Sequence, residues 1–189
     1  MPETSSVRII GGKWRGRKLC FPLATGLRPT PSRIRETVFN WLQPFITNAR
    51  CLDLFAGSGA LGFEALSRGA ASVVLVDKSR FVIDAIKKNI NHLHAHDRAS
   101  VIMADANKSQ WVLPNVAYNI IFLDPPYAKG ALELTLKNIF TQGVADRETI
   151  IYVEYQSGTD FAVPEGCFFY KKSKTKKILY GLLRIEHPR

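Results

Sequence analysis

The sequence contains no run of 18 or more apolar residues, whereas a membrane-spanning helix needs about 20. Its first residues also lack the apolar core of a secretory signal peptide. These absences predict a chain that neither crosses nor is exported through a membrane and works in the cytoplasm. The hydrophobic fraction of 46% is ordinary for a globular protein. A chain of 189 residues can form one domain with a sizeable core.

Cysteine and histidine are scarce and lack the spacing of metal or disulfide sites. The three cysteines lie far apart, at Cys20, Cys51 and Cys167. They form no C-x-x-C pair, which fits a reducing cytosol. The four histidines are His92, His94, His96 and His187. They do not complete a metal set, and the first three fall in a polar stretch expected to be solvated. We predict no metal site.

Acidic residues are outnumbered, 16 against 26 basic ones, and the net charge is +10. Residues 1–50 contain nine basic and two acidic residues, and residues 171–189 contain seven and one. The middle of the chain, 51–170, has 13 acidic and ten basic residues. A mildly acidic core between two basic ends is typical of proteins that bind a phosphate backbone.

The pattern of apolar residues predicts an α/β protein. Two short strands, 7–10 and 14–21, flank a Gly-rich turn, and a helix follows with Thr30 as N-cap and Pro31 as its first residue. Strands and helices then alternate. The predicted strands are 51–54, 73–76, 101–103, 118–123 and 149–154, and a terminal hairpin covers 167–172 and 177–185. This order indicates a doubly wound, mainly parallel sheet.

A glycine-rich loop follows the strand 51–54. Gly57, Gly59 and Gly62 match G-x-G-x-x-G, which by itself suits either a dinucleotide or S-adenosylmethionine. Asp53 favours the second, since a carboxylate would repel a pyrophosphate but attract a sulfonium and an ammonium. Two unit charges about 4 Å apart interact by about 4 kcal/mol at an effective dielectric constant of about 20. Asp77, at the end of the next strand, is placed to bind ribose hydroxyls.

Further acidic residues follow other strands. Asp105 comes after the third strand of the alternating region, where an adenine amine could bind. Three acids at three successive strand ends are difficult to ascribe to solvation alone. Glu64 and Glu154 are expected to be surface or structural groups rather than catalysts.

Asp124-Pro125-Pro126-Tyr127 follows the apolar run 120–123. This tetrapeptide is therefore predicted at the carboxyl end of a buried strand, where open α/β sheets bind their ligands. A carboxylate and a carbonyl aimed by proline can accept both hydrogens of an exocyclic base amine. An aromatic face stabilises a stacked base by about 1–3 kcal/mol. The set predicts methyl transfer to the amine of a nucleobase, with Asp124 to Tyr127 as the catalytic residues.

Several longer segments add a family resemblance. They are Arg8 to Leu19 (RIIGGKWRGRKL), Leu27 to Thr30 (LRPT) and Arg33 to Leu42 (RIRETVFNWL). With the two motifs above, they make nearly the whole chain similar to the RsmD family of bacterial 16S ribosomal RNA guanine-N2 methyltransferases. The resemblance implies a Rossmann-like class I methyltransferase with a mixed seven-stranded sheet and a small N-terminal β-hairpin. It also implies S-adenosylmethionine as donor, and as substrate 16S rRNA in an assembled or partly assembled small subunit.

Carried over by position, the resemblance places the methionine part of the cofactor by Asp53, Gly57 and Gly59, the ribose by Asp77 and the adenine by Asp105. The predicted cofactor-binding residues are Asp53, Phe55, Gly57, Ser58, Gly59, Asp77, Lys78, Asp105, Ala106 and Asp124. The predicted RNA-binding residues are Arg8, Lys13, Trp14, Arg15, Arg17, Lys18 and Arg28. Residues 1–30 are expected to form an RNA-binding extension and 31–189 the methyltransferase domain, in a monomer. Contact of Arg33 and Arg35 with the cofactor carboxylate or with RNA stays open.

Three alternatives remain at this point. A DNA adenine-N6 methyltransferase would share the Asp124 motif, and a dinucleotide-dependent oxidoreductase would share the glycine loop. A non-catalytic RNA-binding module would need only the basic ends. The short basic segments leave no room for a large domain that reads the DNA major groove, and they suit shape recognition of structured RNA with one base turned into a pocket.

Overall fold

The computed structural model describes residues 4–23, 29–108, 111, 113, 116–126, 130–159 and 161–186. Arg28 and Tyr127, two of the predicted site residues, lie outside the described residues, as does His187. The described strands are β1 (Thr4–Arg8), β2 (Lys18–Pro22), β3 (Arg50–Asp53), β4 (Ser72–Asp77), β5 (Ala99–Met103), β6 (Ile120–Leu123), β7 (Ile150–Gln156), β8 (Cys167–Lys174) and β9 (Ile178–Ile185). The described helices are α1 (Ser32–Leu42), α2 (Ala60–Ser67), α3 (Arg80–Leu93) and α4 (Ala131–Thr141).

The central sheet has seven strands in the order β5-β4-β3-β6-β7-β9-β8. The five strands β3 to β7 run parallel, whereas β9 is antiparallel to both of its neighbours. The predicted mixed, doubly wound sheet is therefore confirmed. Because the winding reverses between β3 and β6, the topological switch point lies between these strands, and ligands of such sheets bind there.

Apolar side chains form one core on each face of this sheet. One core contains the apolar faces of α1, α2 and α3, such as Phe39, Phe63 and Ile86. The other contains α4 residues such as Leu136 together with Trp111. The alternation along β3 and β6 supplies both, so Phe122 faces α1 while Leu123 faces α4. The sheet is consequently covered on both sides, as a parallel sheet requires.

The N-terminal hairpin of β1 and β2 packs onto α2 rather than extending the central sheet. Next to the turn, β1 ends earlier and β2 begins later than predicted, because backbone N–H groups there bind α2 instead of a partner strand. Ile10 and Gly11 donate to the two carboxylate oxygens of Glu64, each at 2.8 Å. Trp14 donates to the Ser67 hydroxyl at 2.9 Å. These bonds hold the Gly-rich turn against the helix.

Gly12 shows how close this contact is. Its φ is +74°, and a Cβ atom there would lie 1.9 Å from the Ser67 carbonyl oxygen. A side chain would thus be strained by the backbone conformation and would clash with α2. On the other side, Asn89 of α3 accepts from the Cys20 N–H at 3.1 Å and donates to its carbonyl at 2.9 Å. The hairpin is therefore fixed to two helices of the domain.

Helix α1 begins differently from the prediction. Pro31, not Thr30, is the N-cap residue, and no side chain caps the helix. The N-cap assignment of Thr30 was wrong because its hydroxyl has another partner, the carboxylate of Asp124. In contrast, the Ser79 side chain caps α3 and accepts from the Val82 N–H.

The described residues contain neither a membrane-spanning helix nor a cluster suited to a metal ion. No described helix is long and apolar enough to span a bilayer. Among the same residues, no group of three or more His, Cys, Asp and Glu side chains is arranged to hold a metal ion.

Candidate active site

The glycine loop connects β3 to α2 at the switch point. Gly57 and Gly59 have φ angles of +50° and +74°, a region that L side chains rarely adopt. Gly62 lies in the first turn of α2, where a Cβ atom would come within 2.8 Å of the Leu75 side chain. The first two glycines therefore shape the turn, and the third lets the helix pack closely on β4, the roles that a nucleoside-binding loop requires.

Asp53 ends β3 beneath this loop and is only 2% exposed. Its Oδ2 accepts from the N–H of Gly62 at 3.2 Å. The pKa of Asp53 is raised to about 7, mainly by burial and also by the nearby Asp77, although hydrogen bonds from the Gly62 and Phe55 backbones act in the opposite direction. Asp53 is thus a buried carboxyl group that also holds the loop to α2.

Asp77 and Asp105 follow the next two strands. The half-buried Asp77 accepts from Gly57 N–H at 3.0 Å and from Ser79 N–H at 2.8 Å. Asp105, also half-buried, accepts from Asn107 N–H at 3.1 Å. Each carboxylate thereby orders the loop beside it, and each oxygen retains a lone pair for a ligand hydroxyl or amine. Both lie at the same edge of the sheet as Asp53.

The other predicted cofactor residues lie along this edge with different exposure. Phe55 is half-buried, Ser58 and Ala106 are buried, and Lys78 is exposed. All of them follow β3, β4 or β5, three adjacent strands. The structure therefore brings together the residues that the sequence proposed for the cofactor.

Asp124 follows β6 on the other side of the switch point. Its Oδ2 accepts from the Thr30 hydroxyl at 3.0 Å. Pro125 is buried and Pro126 is exposed. The β3–β6 register pairs Asp53 with Phe122, so Asp124 lies two residues further along and on the same face as Asp53.

Glu154 places a third carboxylate in this row. The β6–β7 register pairs Leu123 with Val153, so Asp124 and Glu154 are neighbours on adjacent strands. Glu154 is 2% exposed and accepts from the Tyr152 hydroxyl at 2.7 Å. Glu154 is therefore no surface group. The sequence missed it beside Asp124, although the equal lengths of the two apolar runs could have indicated it.

The pKa of Asp124 lies well above its usual range. Burial is the main cause, and the carboxylates of Glu154 and Asp53 raise it further, whereas the hydrogen bond from Thr30 lowers it. Within the described residues, neither Asp53 nor Asp124 forms an ion pair with a basic side chain. Asp53 and Asp124, without basic partners there, fit a positively charged ligand, such as a sulfonium with an amino group, better than a pyrophosphate.

Glu64 and Arg35 form a structural ion pair behind the site. Both side chains are fully buried, with Arg35 Nη1 3.6 Å from Glu64 Oε2, and Arg68 Nε lies 2.7 Å from Oε1. Glu64 was expected to be a surface or structural group, and these contacts make it a structural one. Arg35 is 0% exposed, so it is not available to RNA.

The predicted RNA-binding side chains do not all lie on the surface. Trp14 is 5% exposed and belongs to the core against α1 and α2, so it offers no face to RNA. The other described members are exposed: Arg8, Lys13, Arg15, Arg17 and Lys18. Arg8 and Lys18 pair across the two strands of the hairpin, which gives this unit a basic outer face.

A shallow depression elsewhere is lined by Phe45, Asn48, Asn119 and other residues. It lies at the opposite edge of the sheet, before β3 and β6 begin. Since open α/β sheets bind ligands beyond the carboxyl ends of their strands, we place the active site at the edge of Asp53 and Asp124.

Comparisons with known proteins agree with this arrangement. Residues 7–183 match the family model described as Conserved hypothetical protein 95. The chain is 42% identical over 184 residues to ribosomal RNA small subunit methyltransferase D of Escherichia coli, covering 97% of this chain and 92% of that protein. The protein of the same name from Haemophilus influenzae is 39% identical over 180 residues, covering 93% of this chain and 92% of that protein.

Solved structures extend the likeness to three dimensions. The structure of yhhF from Escherichia coli has a TM-score of 0.85 and 42% identity, and the match covers 96% of this chain and 99% of that one. This chain thus has a sequence that shows its family, together with the sheet order, the glycine loop and the acidic strand ends described above. This protein belongs to the RsmD family of ribosomal RNA small subunit methyltransferases, class I enzymes that use S-adenosylmethionine as methyl donor.

Proposed function

We propose that this protein transfers a methyl group from S-adenosylmethionine to the exocyclic N2 of a guanine in 16S ribosomal RNA. One observation supports this above all others: Asp53 and Asp124 lie on the same face of adjacent strands, on either side of the switch point. A donor held over Asp53 and a base held at Asp124 would therefore meet at one edge of the sheet.

The acceptor chemistry follows from what an exocyclic amine lacks. Its lone pair is delocalised into the ring, so it is a poor nucleophile until its N–H groups find acceptors. Asp124 supplies one acceptor, and a carbonyl held by the rigid Pro125 would supply the second. S-adenosylmethionine supplies an electrophilic methyl group on a sulfonium, and the transfer then depends mainly on alignment. The proton released from the amine leaves to Asp124 or to water.

The charged surfaces support RNA as the acceptor. The basic outer face of the hairpin joins the site through a short connection. Leu23 and Pro29 are six residues apart in the chain, which span at most about 20 Å, and Thr30 contacts Asp124. We propose that Arg8, Lys13, Arg15, Arg17 and Lys18 bind the RNA backbone, with residues 1–30 as the RNA-binding extension of the methyltransferase domain.

A second basic surface flanks the site on the other side. We call Lys174, Lys176 and Lys177 the lysine turn, since they lie in and beside the connection of β8 and β9. All three are exposed. Gln156, at the carboxyl end of β7, pairs with Ile178, so the lysine turn lies at the catalytic edge. Because β9 is two strands from β6, it lies about 10 Å away across the sheet, within reach of nucleotides beside the target.

The relatives named above are ribosomal RNA small subunit methyltransferases, which supports the same substrate here. We propose that the protein acts in the cytoplasm, as a monomer, on an assembled or partly assembled small subunit. A subunit presents the target within a fixed surface, which suits two basic patches on opposite sides of one site.

Labelled methyl transfer tests the proposal. The protein is incubated with S-adenosylmethionine carrying a labelled methyl group and with small subunits from a strain lacking the family member, and duplex DNA serves as a parallel acceptor. We expect label in 16S RNA and none with Asp124→Ala. Label in DNA instead would favour adenine-N6 methylation. No label in either, from protein that binds the donor, would refute the proposal.

A further inference from the structure

Thr30 contacts the catalytic carboxylate from a segment far away in the chain. Its hydroxyl donates to Oδ2 of Asp124 at 3.0 Å, and the residue is 6% exposed. A buried hydroxyl needs a hydrogen-bond partner, and a carboxylate is a stronger acceptor than a neutral oxygen. The contact therefore fixes both groups.

This contact decides which oxygen of Asp124 faces a ligand. The terminal torsion of an aspartate is broad and roughly two-fold, so a carboxylate without a partner samples many rotations. With Oδ2 bonded to Thr30, the plane of the group is set. Oδ1 is then left to accept from an amine that enters the site.

Arg35 holds Thr30 in place through the backbone. Its Nε donates to the Thr30 carbonyl at 3.2 Å, and its Nη2 donates to the Arg8 carbonyl at 3.0 Å. The guanidinium also faces Glu64, which accepts the backbone N–H groups of the Gly-rich turn. One buried arginine thus joins the hairpin to the residue that contacts Asp124.

We propose that Thr30 is a positioning residue for methyl transfer: its hydroxyl orients the Asp124 carboxylate toward the target amine, and Arg35 sets Thr30 according to how the hairpin is docked. The inference rests on the proposed function in one respect, that Asp124 accepts the amine. It also gives a role to the contacts that connect the proposed RNA-binding extension to Asp124 through Arg35 and Thr30.

Three variants separate orientation from packing. Thr30→Val removes the hydroxyl and keeps the branched shape, whereas Thr30→Ser keeps the hydroxyl. Thr37→Val is the matched control, because the Thr37 hydroxyl donates only within α1, to the Arg33 carbonyl at 3.0 Å. Misorientation of a reacting group costs roughly tenfold to hundredfold in rate, so we expect kcat of Thr30→Val to fall by at least about tenfold. The Kd for S-adenosylmethionine, measured by calorimetry, should change by less than about twofold, since Thr30 lies on the base side of the switch point.

The pH dependence provides a readout that packing alone would not change. The Thr30 hydrogen bond favours the ionised Asp124 and so lowers its pKa. Its loss should move the acid limb of the kcat profile to higher pH in Thr30→Val, but not in Thr30→Ser. Among the described residues, the other titratable groups facing Asp124 are Glu154 and Tyr152 on β7 and Asp53 on β3, and all three variants leave them unchanged.

The outcomes are distinct. Slow turnover with a shifted acid limb in Thr30→Val, together with near-normal Thr30→Ser and Thr37→Val, would support the proposal. It is overturned if Thr30→Val turns over within about twofold of the wild type, or if Thr30→Ser is equally impaired. Failure of the proposed function looks different, because the wild-type protein itself would then transfer no methyl group to 16S RNA.

Discussion

Replacing Glu64 with glutamine tests the buried link between the hairpin and the domain. In Glu64→Gln the guanidinium of Arg35 loses its counter-charge while both side chains stay buried. The amide nitrogen of glutamine cannot accept a hydrogen bond, so Ile10 or Gly11 also loses an acceptor. Removing one partner of a buried ion pair costs about 3–5 kcal/mol, and the lost hydrogen bond adds about 1–3 kcal/mol where the N–H stays buried.

These costs are not additive, so we expect a loss of about 3–5 kcal/mol in the free energy of unfolding. For a chain of this size, such a loss lowers Tm by roughly 10 °C. Urea unfolding followed by circular dichroism measures the first quantity. Hydrogen exchange at the Ile10 and Gly11 amides measures whether the hairpin loosens first.

Asp84→Asn is the matched control. Asp84 also forms an ion pair, with Arg80 one turn earlier on α3, but the Asp84 and Arg80 side chains are 48% and 72% exposed. Exposed pairs of this kind contribute about 0.3–0.5 kcal/mol, so this variant should unfold almost like the wild type. If Glu64→Gln lost less than about 1 kcal/mol and its hairpin amides exchanged at the wild-type rate, the argument that Glu64 holds the hairpin would be refuted.

Three further predictions follow from the acidic row and the lysine turn. S-adenosylmethionine should bind more tightly as pH rises from about 6 to 8, because a cation favours the ionised Asp53, whose pKa of about 7 reflects burial and the neighbouring Asp77. Calorimetry should show a flatter pH dependence of this binding for Asp53→Asn. Asp124→Asn should be more stable than the wild type at pH 7, because the folded-state pKa of Asp124 is raised, and ionisation above its unfolded-state pKa of about 3.9 therefore costs stability. Thermal melts should show that this gain in stability vanishes near pH 4. Replacing all three residues of the lysine turn with glutamate should weaken binding of small-subunit RNA and reduce the salt dependence of that binding, while binding of S-adenosylmethionine, measured in parallel, stays the same. An unchanged salt dependence would contradict the proposed contact.

Local sequence patterns were sufficient to predict the parallel strands and the edge of the sheet at which their acidic residues lie. Apolar runs bounded by Asp53 and by Asp124 indicated buried parallel strands, and the carboxyl ends of such strands meet at one edge. The glycine spacing indicated the loop between them. These features depend on residues close together in the chain, which is why the sequence alone could place them.

The buried polar contacts could not be predicted in the same way. Thr30 and Asp124 are 94 positions apart, and Ile10 and Glu64 are 54 apart, so no local pattern connects them. Thr30 before Pro31 has the pattern of a helix cap, and a contact from the distant Asp124 overrides it. Trp14 shows the same limit, because an aromatic residue among basic ones resembles an RNA contact until the hairpin is seen docked on α2.

We propose that the sheet edge containing Asp53 and Asp124 methylates a guanine amine in ribosomal RNA. Mass spectrometry of nucleosides from 16S RNA tests this in a strain that lacks its own family member and expresses either this protein or Asp124→Ala. We expect the wild-type protein, but not the variant, to restore N2-methylguanosine. Restoration by both proteins, or the appearance of a methylated adenine instead, would contradict it.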